Sequence, residues 1–271
     1  MEGFYLYGVR KSRGASSIFL TKGIDEKGEV FTRTYQGLEA VVSKVSLEEF
    51  DSETINMKAQ NDLQWIKEKA VIHETVIEEA MRSGEEILSL IPMKFGTIFK
   101  EEKALREALS KHREQFKETL EKLEGKQEWG IKAYLTDQNK FEQAVKENNT
   151  TIQKKAREIA DLPEGMAFFM EEELKEVISR EVNKELNHVA EGLYESISRQ
   201  AEASVHNNIL RRELTGRREP MVFNAACLVA GGKIEEFKEA ARRLNQEIRK
   251  KGLDLEFSGP WPAYHFATPE N

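Results

Sequence analysis

The stretch Asn224–Phe257 constrains the fold more than any other part of this chain, because its apolar period switches twice. "NAACLVA" (Asn224–Ala230) is an unbroken apolar run of strand length and reads as a buried strand. "GGK" then breaks it, and Ile234, Phe237, Ala241, Leu244 and Ile248 follow at spacings of 3, 4, 3 and 4, one face of a helix. Gly252 stops that helix, and "LDLEF" alternates strictly, with Leu253, Leu255 and Phe257 facing one way and Asp254 and Glu256 the other. A strand–helix–strand unit must lay its helix on a sheet face, which makes this an α+β chain.

The same reading extends upstream. "FYLYGV" (Phe4–Val9) and "GLEAVVSKV" (Gly37–Val45) read as buried strands, with a hairpin expected between them around Gly23, Gly28 and "EVFTRTY". Leu63, Ile66, Ala70, His73, Ile77 and Met81 form one apolar stripe and predict a helix ending at Gly84. "ILSLIPMKFGTIF" (Ile87–Phe99) reads as a strand pair or bent strand broken at Pro92 and Gly96. Leu105, Leu109, His112, Phe116, Leu120 and Leu123 predict one helix from about Glu101, closed by Gly125. "WGIKAYL" (Trp129–Leu135) is a strand, and Thr136 or Asp137 caps the helix after it. From Met166 to about Leu214 there is one Gly and no Pro. An apolar stripe runs there from Leu174 through Ile178, Val182, Leu186, Val189, Leu193 and Ile197 to Ala201. One long helix, or a helix bent near Ser204–Asn208, is expected.

These elements give two domains, 1–125 and 126–271, the second with long helices over about 137–214 and the terminal strand–helix–strand unit. A ferredoxin-like sandwich carrying a long helical insertion is the architecture expected of the second.

Charge and composition exclude several function classes. The chain has 41 Lys and Arg against 48 Asp and Glu, a net charge of −7, which disfavours non-specific nucleic-acid binding. Cys227 is the one cysteine, so no intrachain disulfide or cysteine-built zinc site exists, in keeping with a reducing cytoplasm. No run approaches the ~18 apolar residues of a spanning helix, and the first residues lack the pattern of a signal peptide, so a soluble cytoplasmic protein is expected.

No motif in the sequence carries a recognisable chemistry. "HETVIEE" opens like a zinc-protease helix, but Ile77 stands where the second histidine is required. His73 and His112 lie on apolar stripes and read as core histidines, and His265 has no visible partner. "GGK" is followed by Ile234 where a phosphate loop needs Ser or Thr, so it reads as a tight turn. Arg211, Arg212, Arg217 and Arg218 sit in a stretch diluted by Glu213 and Glu219. That stretch reads as a solvated linker, with an electrostatic landing site for an acidic partner as the alternative. No catalytic residues, metal or cofactor are expected.

"SGPWPAYHF" (Ser258–Phe266) concentrates aromatic and rigid residues near the end of the chain. Pro260 and Pro262 remove backbone donors, which confines the stretch to a sheet edge or to covering one. Trp261 is expected to plug the core between sheet and helices, the alternative being an exposed aromatic handle for a partner.

Several stretches, taken in order, resemble the gas vesicle protein L/F family: "YLYGV", "AVVSKV", "DLQWIKEKAVIHETVIEEAM", "IPMKFGTIF", "GKQEWGIKAYL", "NAACLV" and "GPWPAYHF". The resemblance covers nearly the whole chain, is most specific in Ile91–Phe99 and Gly259–Phe266, and looks closer to the L branch. It implies an N-terminal modified ferredoxin-like α+β domain followed by a C-terminal α+β domain with long helices, and an accessory or minor component of gas vesicle assembly in the cytoplasm. Such a protein binds the hydrophobic main shell protein (gas vesicle protein A) and other accessory proteins, limits aggregation during nucleation, and has no catalytic residues. Phe95, Gly96, Trp261, Tyr264 and Phe266 are then the family-signature or partner-binding candidates. A small-molecule sensor with paired ferredoxin-like domains is the alternative from another class.

Overall fold

The computed structural model describes residues 1–14, 19–84 and 86–267. The chain divides into two compact units: Met1–Glu128 together with the segment from Pro260 on, and Trp129–Gly259. The sequence places everything after residue 126 in one domain. Instead the tail from Pro260 belongs with the first unit, because its aromatic and polar side chains find their partners there.

In the first unit β1 (Glu2–Lys11) is the centre of the sheet. It pairs antiparallel with β3 (Leu38–Ser46), which pairs with β2 (Val30–Tyr35). On its other side it takes two short strands, β6 (Leu90–Pro92) and β7 (Ile98–Phe99). The resulting order is β2-β3-β1-β6, with β7 also on β1. Tyr35 faces Leu38, so Gln36 and Gly37 alone make the β2–β3 turn. Both have positive φ, 46° and 86°, as a two-residue hairpin turn with the right twist requires. Leu6 faces Val42 while Gly8 faces Val41, so Tyr7 is the extra residue of a β-bulge.

Helices α1 (Leu47–Phe50), α2 (Ser52–Asn61) and α3 (Leu63–Ala80) follow β3. A two-stranded hairpin, β4 (Arg82–Ser83) with β5 (Glu86–Ile87), leads on to β6. Asp51 and Asp62 cap α2 and α3 by accepting the Thr54 and Trp65 N–H groups. After β7 come α4 (Glu102–Lys111) and α5 (Arg113–Leu123), which bury Leu105, Leu109, Leu120 and Leu123. β1 is buried without alternation from Tyr5 to Arg10, as a strand covered on both faces must be.

Two stripes differ from expectation. On α3 the buried face is Lys69, His73, Val76, Ile77 and Ala80, whereas Leu63 and Ala70 are exposed. Lys69 takes the inward place because its aliphatic stem packs while Nζ reaches Glu26 Oε2 at 2.7 Å. The single helix expected over 101–123 is two, breaking at His112, whose N–H is shared between the Ala108 and Ser110 carbonyls. The break turns His112 to solvent, 3.1 Å from Gln115 Oε1, so only His73 is a core histidine.

In the second unit β8 (Lys126–Leu135) leads to α6 (Gln138–Asn148), α7 (Thr150–Ala160) and α8 (Glu164–Ser198). Then follow β9 (Ala203–His206), α9 (Arg212–Thr215), β10 (Met221–Ala230), a 3-10 turn at Gly231–Lys233, α10 (Ile234–Arg249) and β11 (Leu253–Trp261). The sheet order is β11-β8-β10-β9. Trp129, Ile131, Ala133 and Leu135 of β8 and Phe223, Ala225, Cys227 and Val229 of β10 alternate inward. They meet Phe237, Ala241 and Ile248 of α10 and Leu193 and Ile197 of α8 in one core. The 35 residues of α8 span about 52 Å at 1.5 Å per residue. The helix does not run on past Ser198: Ala203–His206 form an edge strand on Ala225–Leu228. Ladder bonds, the stacking of Tyr194 on His206 at 3.8 Å, and the 2.7 Å Ser198–Ser204 hydroxyl contact outweigh helix propensity there.

Candidate interaction site

The two most distinctive stretches of the sequence meet around one imidazole. β1 presents Tyr5, α3 presents His73 and Glu74, the β6–β7 loop presents Met93 to Gly96, and the tail brings Tyr264. His73 Nε2 lies 3.2 Å from the Met93 carbonyl, which can only accept, so that nitrogen carries the proton. Nδ1 is then the acceptor for the Tyr5 hydroxyl at 3.0 Å, and the Tyr5 oxygen in turn accepts the Gly96 N–H at 2.9 Å. Gly96 has φ +82°, which lets the loop aim its N–H inward. Phe95 stands edge-on to Tyr5 and His73, with centroids 6.3 and 5.8 Å away. Tyr264 donates to Glu74 Oε2 at 3.0 Å, and its oxygen lies 3.4 Å from His73 Nε2.

Burial sets the electrostatics. It pushes the His73 imidazole down to about 4, so the ring is neutral in the folded protein. The same desolvation raises the Glu74 carboxyl and the Tyr5 and Tyr264 hydroxyls. Tyr7, bonded to the Ser43 hydroxyl and the Ile24 N–H, is pushed up to about 12. The groups are matched donor to acceptor, an arrangement that fixes structure.

A second anchor fixes the tail. Glu128, 4 % exposed, accepts the His265 backbone N–H at 3.1 Å and lies 2.6 Å from His265 Nδ1. That hydrogen bond to the carboxylate raises the His265 pKa. Phe266 is buried at 5 %. His265 therefore has the partner that the sequence did not reveal.

Trp261 does not plug the core: it is 39 % exposed. The reason is local. Trp261 ends edge strand β11, and the chain turns only after it, with the Tyr264 N–H bonded to the Pro262 carbonyl and the Ala267 N–H to the Ala263 carbonyl. That turn sends Tyr264 and Phe266 inward and leaves Trp261 on the outer side. Of the site candidates, Phe95, Gly96 and Tyr264 thus converge on Tyr5 and His73, while Phe266 is buried and Trp261 exposed.

The four arginines lie in the second unit. Arg217 is committed internally: it pairs with Glu219, Asp254 and Glu256, and its guanidinium stacks 4.2 Å from the Tyr134 ring centroid. Arg211, Arg212 and Arg218 are exposed around the short α9. Sequence reading missed Tyr5, Glu74 and Glu128, because no periodicity relates residues drawn from three distant segments. It also missed Met166, Phe168 and Phe169, which are 59 %, 62 % and 75 % exposed. Their signal is visible in hindsight: they fall off the stripe that begins at Leu174. Among the described residues no cluster of His, Cys, Asp and Glu is placed to hold a metal ion, and no helix is long and apolar enough to cross a membrane.

Such a molecule is a mixed α/β protein in which Glu74 and Glu128 hold the tail by hydrogen bonds to Tyr264 and His265. The chain belongs to the gas vesicle synthesis protein GvpL/GvpF family, whose pattern matches residues 3–268. It is 26 % identical over 231 residues to gas vesicle protein L of Streptomyces sp. (strain CB03234), covering 85 % of this chain and 80 % of that one. It is 21 % identical over 269 residues to gas vesicle protein F of Nostoc sp. (strain PCC 7120 / SAG 25.82 / UTEX 2576), covering 98 % of each. The crystal structure of the gas vesicle protein GvpF from Anabaena sp. PCC7120 superposes with a TM-score of 0.70 at 18 % identity, over 100 % of this chain and 98 % of that one. The fold is therefore shared with GvpF, and relatives carry both the L and the F names.

Proposed function

We propose that this protein is a non-enzymatic, cytoplasmic assembly factor of gas vesicles that binds the hydrophobic main shell protein, limits its aggregation during nucleation and contacts other accessory proteins. Membership of the gas vesicle synthesis family supports the assembly role. The binding reading rests on Trp261, a large aromatic side chain held at the surface by a tail whose next aromatics are locked inside. In the second unit, recognition through side chains is favoured over strand addition. β9 has four residues and edge strand β11 contains Pro260, so neither offers a long free ladder. We also read both units as ferredoxin-like. The strand–helix–strand–strand–helix–strand succession of the second, with three helices at the first helical position, supports that for the C-terminal half.

Trp261→Ala tests the binding reading. The expected result is a stability loss smaller than the ~3–5 kcal/mol of a fully buried Trp, with loss of the shell protein from co-expression pull-downs and a return of its aggregation by light scattering. A loss of about 3–5 kcal/mol would restore the core-plug reading. Capture of the shell protein at the wild-type level would remove Trp261 from the interface.

A further inference from the structure

The end of α8 away from its sheet carries an unusual surface. α7 ends at Ala160, and after Asp161–Pro163 the first two turns of α8 read "MAFFM" (Met166–Met170). Ala167, Met170 and Leu174, spaced 3 and 4, are half-buried and continue the stripe that packs inward. Met166, Phe168 and Phe169 point the other way, and the two phenyl rings pack edge to face on each other at 5.9 Å. Together they expose on the order of 300 Å² of apolar surface, the size of patch that in a monomer is often functional.

The rim of this patch is acidic. Residues 157–176 hold two cations, Arg157 and Lys175, against seven acids. Glu172 is paired with Lys175 and Glu173 with Lys155, whereas exposed Asp161, Glu171 and Glu176 make no ion pair among the described residues. The charge decides between occupants. A second copy would bring one acidic rim against another, and an anionic lipid surface would be repelled in the same way. A partner that presents apolar side chains flanked by Lys and Arg satisfies both features at once.

We propose that the tip of the α7–α8 hairpin is a docking site for a basic amphipathic helix of another protein, with Phe168 and Phe169 as its anchors. The proposal uses other residues than Trp261, so the two readings stand or fall independently.

The test uses the full-length protein and two fluorescent synthetic helical peptides, one of Leu and Lys and one with every Lys replaced by Glu. Saturable binding of the Leu/Lys peptide, weakening as salt is raised, is the expected result, with no binding of the Leu/Glu peptide. The F168S/F169S double variant keeps every charge and should weaken binding roughly tenfold or more. Its circular dichroism should match the wild type, since both side chains are already in solvent. E171K/E176K keeps the phenylalanines and should shift preference toward the Leu/Glu peptide. Equal binding by the phenylalanine variant, or equal binding of both peptides, overturns the proposal. So does wild-type dimerisation in sedimentation velocity that the phenylalanine variant abolishes, which would make a second copy the occupant.

Discussion

The two units bury their cores by different means. The first places Tyr5, Tyr7, Ser43, His73 and the Arg10–Glu39 pair among its apolar residues, with Arg10 Nε 2.7 Å from Glu39 Oε2 and both side chains at most 4 % exposed. The second is built on aliphatic and aromatic residues of three strands against four helices, α6, α7, α8 and α10. Among the described residues the one buried side-chain polar atom without a hydrogen bond is the indole N–H of Trp129, in that second core. An apolar core tolerates changes of shape in proportion to lost area. A polar core fails wherever a single partner is removed, because the group left behind stays desolvated.

Four experiments bear on that contrast. Arg10→Met should destabilise by about 3–5 kcal/mol in denaturant unfolding, since it strands Glu39 in the interior, and adding Glu39→Leu should recover most of the loss. A single-variant cost below about 1 kcal/mol would dissolve the distinction between the cores. Phe237→Ala in the second unit should cost about 3–4 kcal/mol, with no second-site polar substitution able to restore it.

The third is pH. The folded His73 value of about 4 lies below its ordinary 6.5, so the unfolded chain takes up the proton first. The contribution is fully present above pH 6.5, shrinks as pH falls, and is gone below 4, roughly 3 kcal/mol in all. His73→Gln, which keeps a donor for Met93 and an acceptor for Tyr5, should flatten that part of the pH–stability curve. His265 works with the opposite sign: its raised value gives stability present below its unfolded pKa and lost as pH rises through the folded one. Its half-exposed ring makes that effect the smaller of the two. The smallest effect is Tyr264→Phe, expected to cost about 1–2 kcal/mol by removing the Glu74 bond while keeping the ring, measured by thermal unfolding. A neutral result would mean that the tail is held by Glu128 and Phe266 alone.

The contrast also explains what could be read in advance. Apolar alternation in "LDLEF", the turn after "NAACLVA" and the 3-and-4 spacing of α10 each follow from one local period, and the structure has them where the sequence puts them. Elsewhere, in both units, local period misleads. Lys69 displaces Ala70 from the buried face because Glu26, far away in sequence, receives its ammonium. Ala203–His206 leave the helical pattern because β10 offers them a ladder. The clasp drew on both sources: Phe95, Gly96 and Tyr264 stood out as unusual residues, but their common destination at Tyr5 and His73 did not.

By itself, then, the sequence determined the mixed α/β class, most strands and helices, the edge position of the proline-bearing last strand, and the family. Those depend on side-chain period, backbone donors and distinctive local stretches, all properties of near neighbours. Only the tertiary structure decided that His73 is neutral and fully bonded, that His265 has Glu128, that Trp261 faces outward, and that Phe168 and Phe169 are left on an acidic tip. Each of these turns on desolvation or on a hydrogen-bond partner supplied by a distant segment, and such partners exist only once the chain has closed.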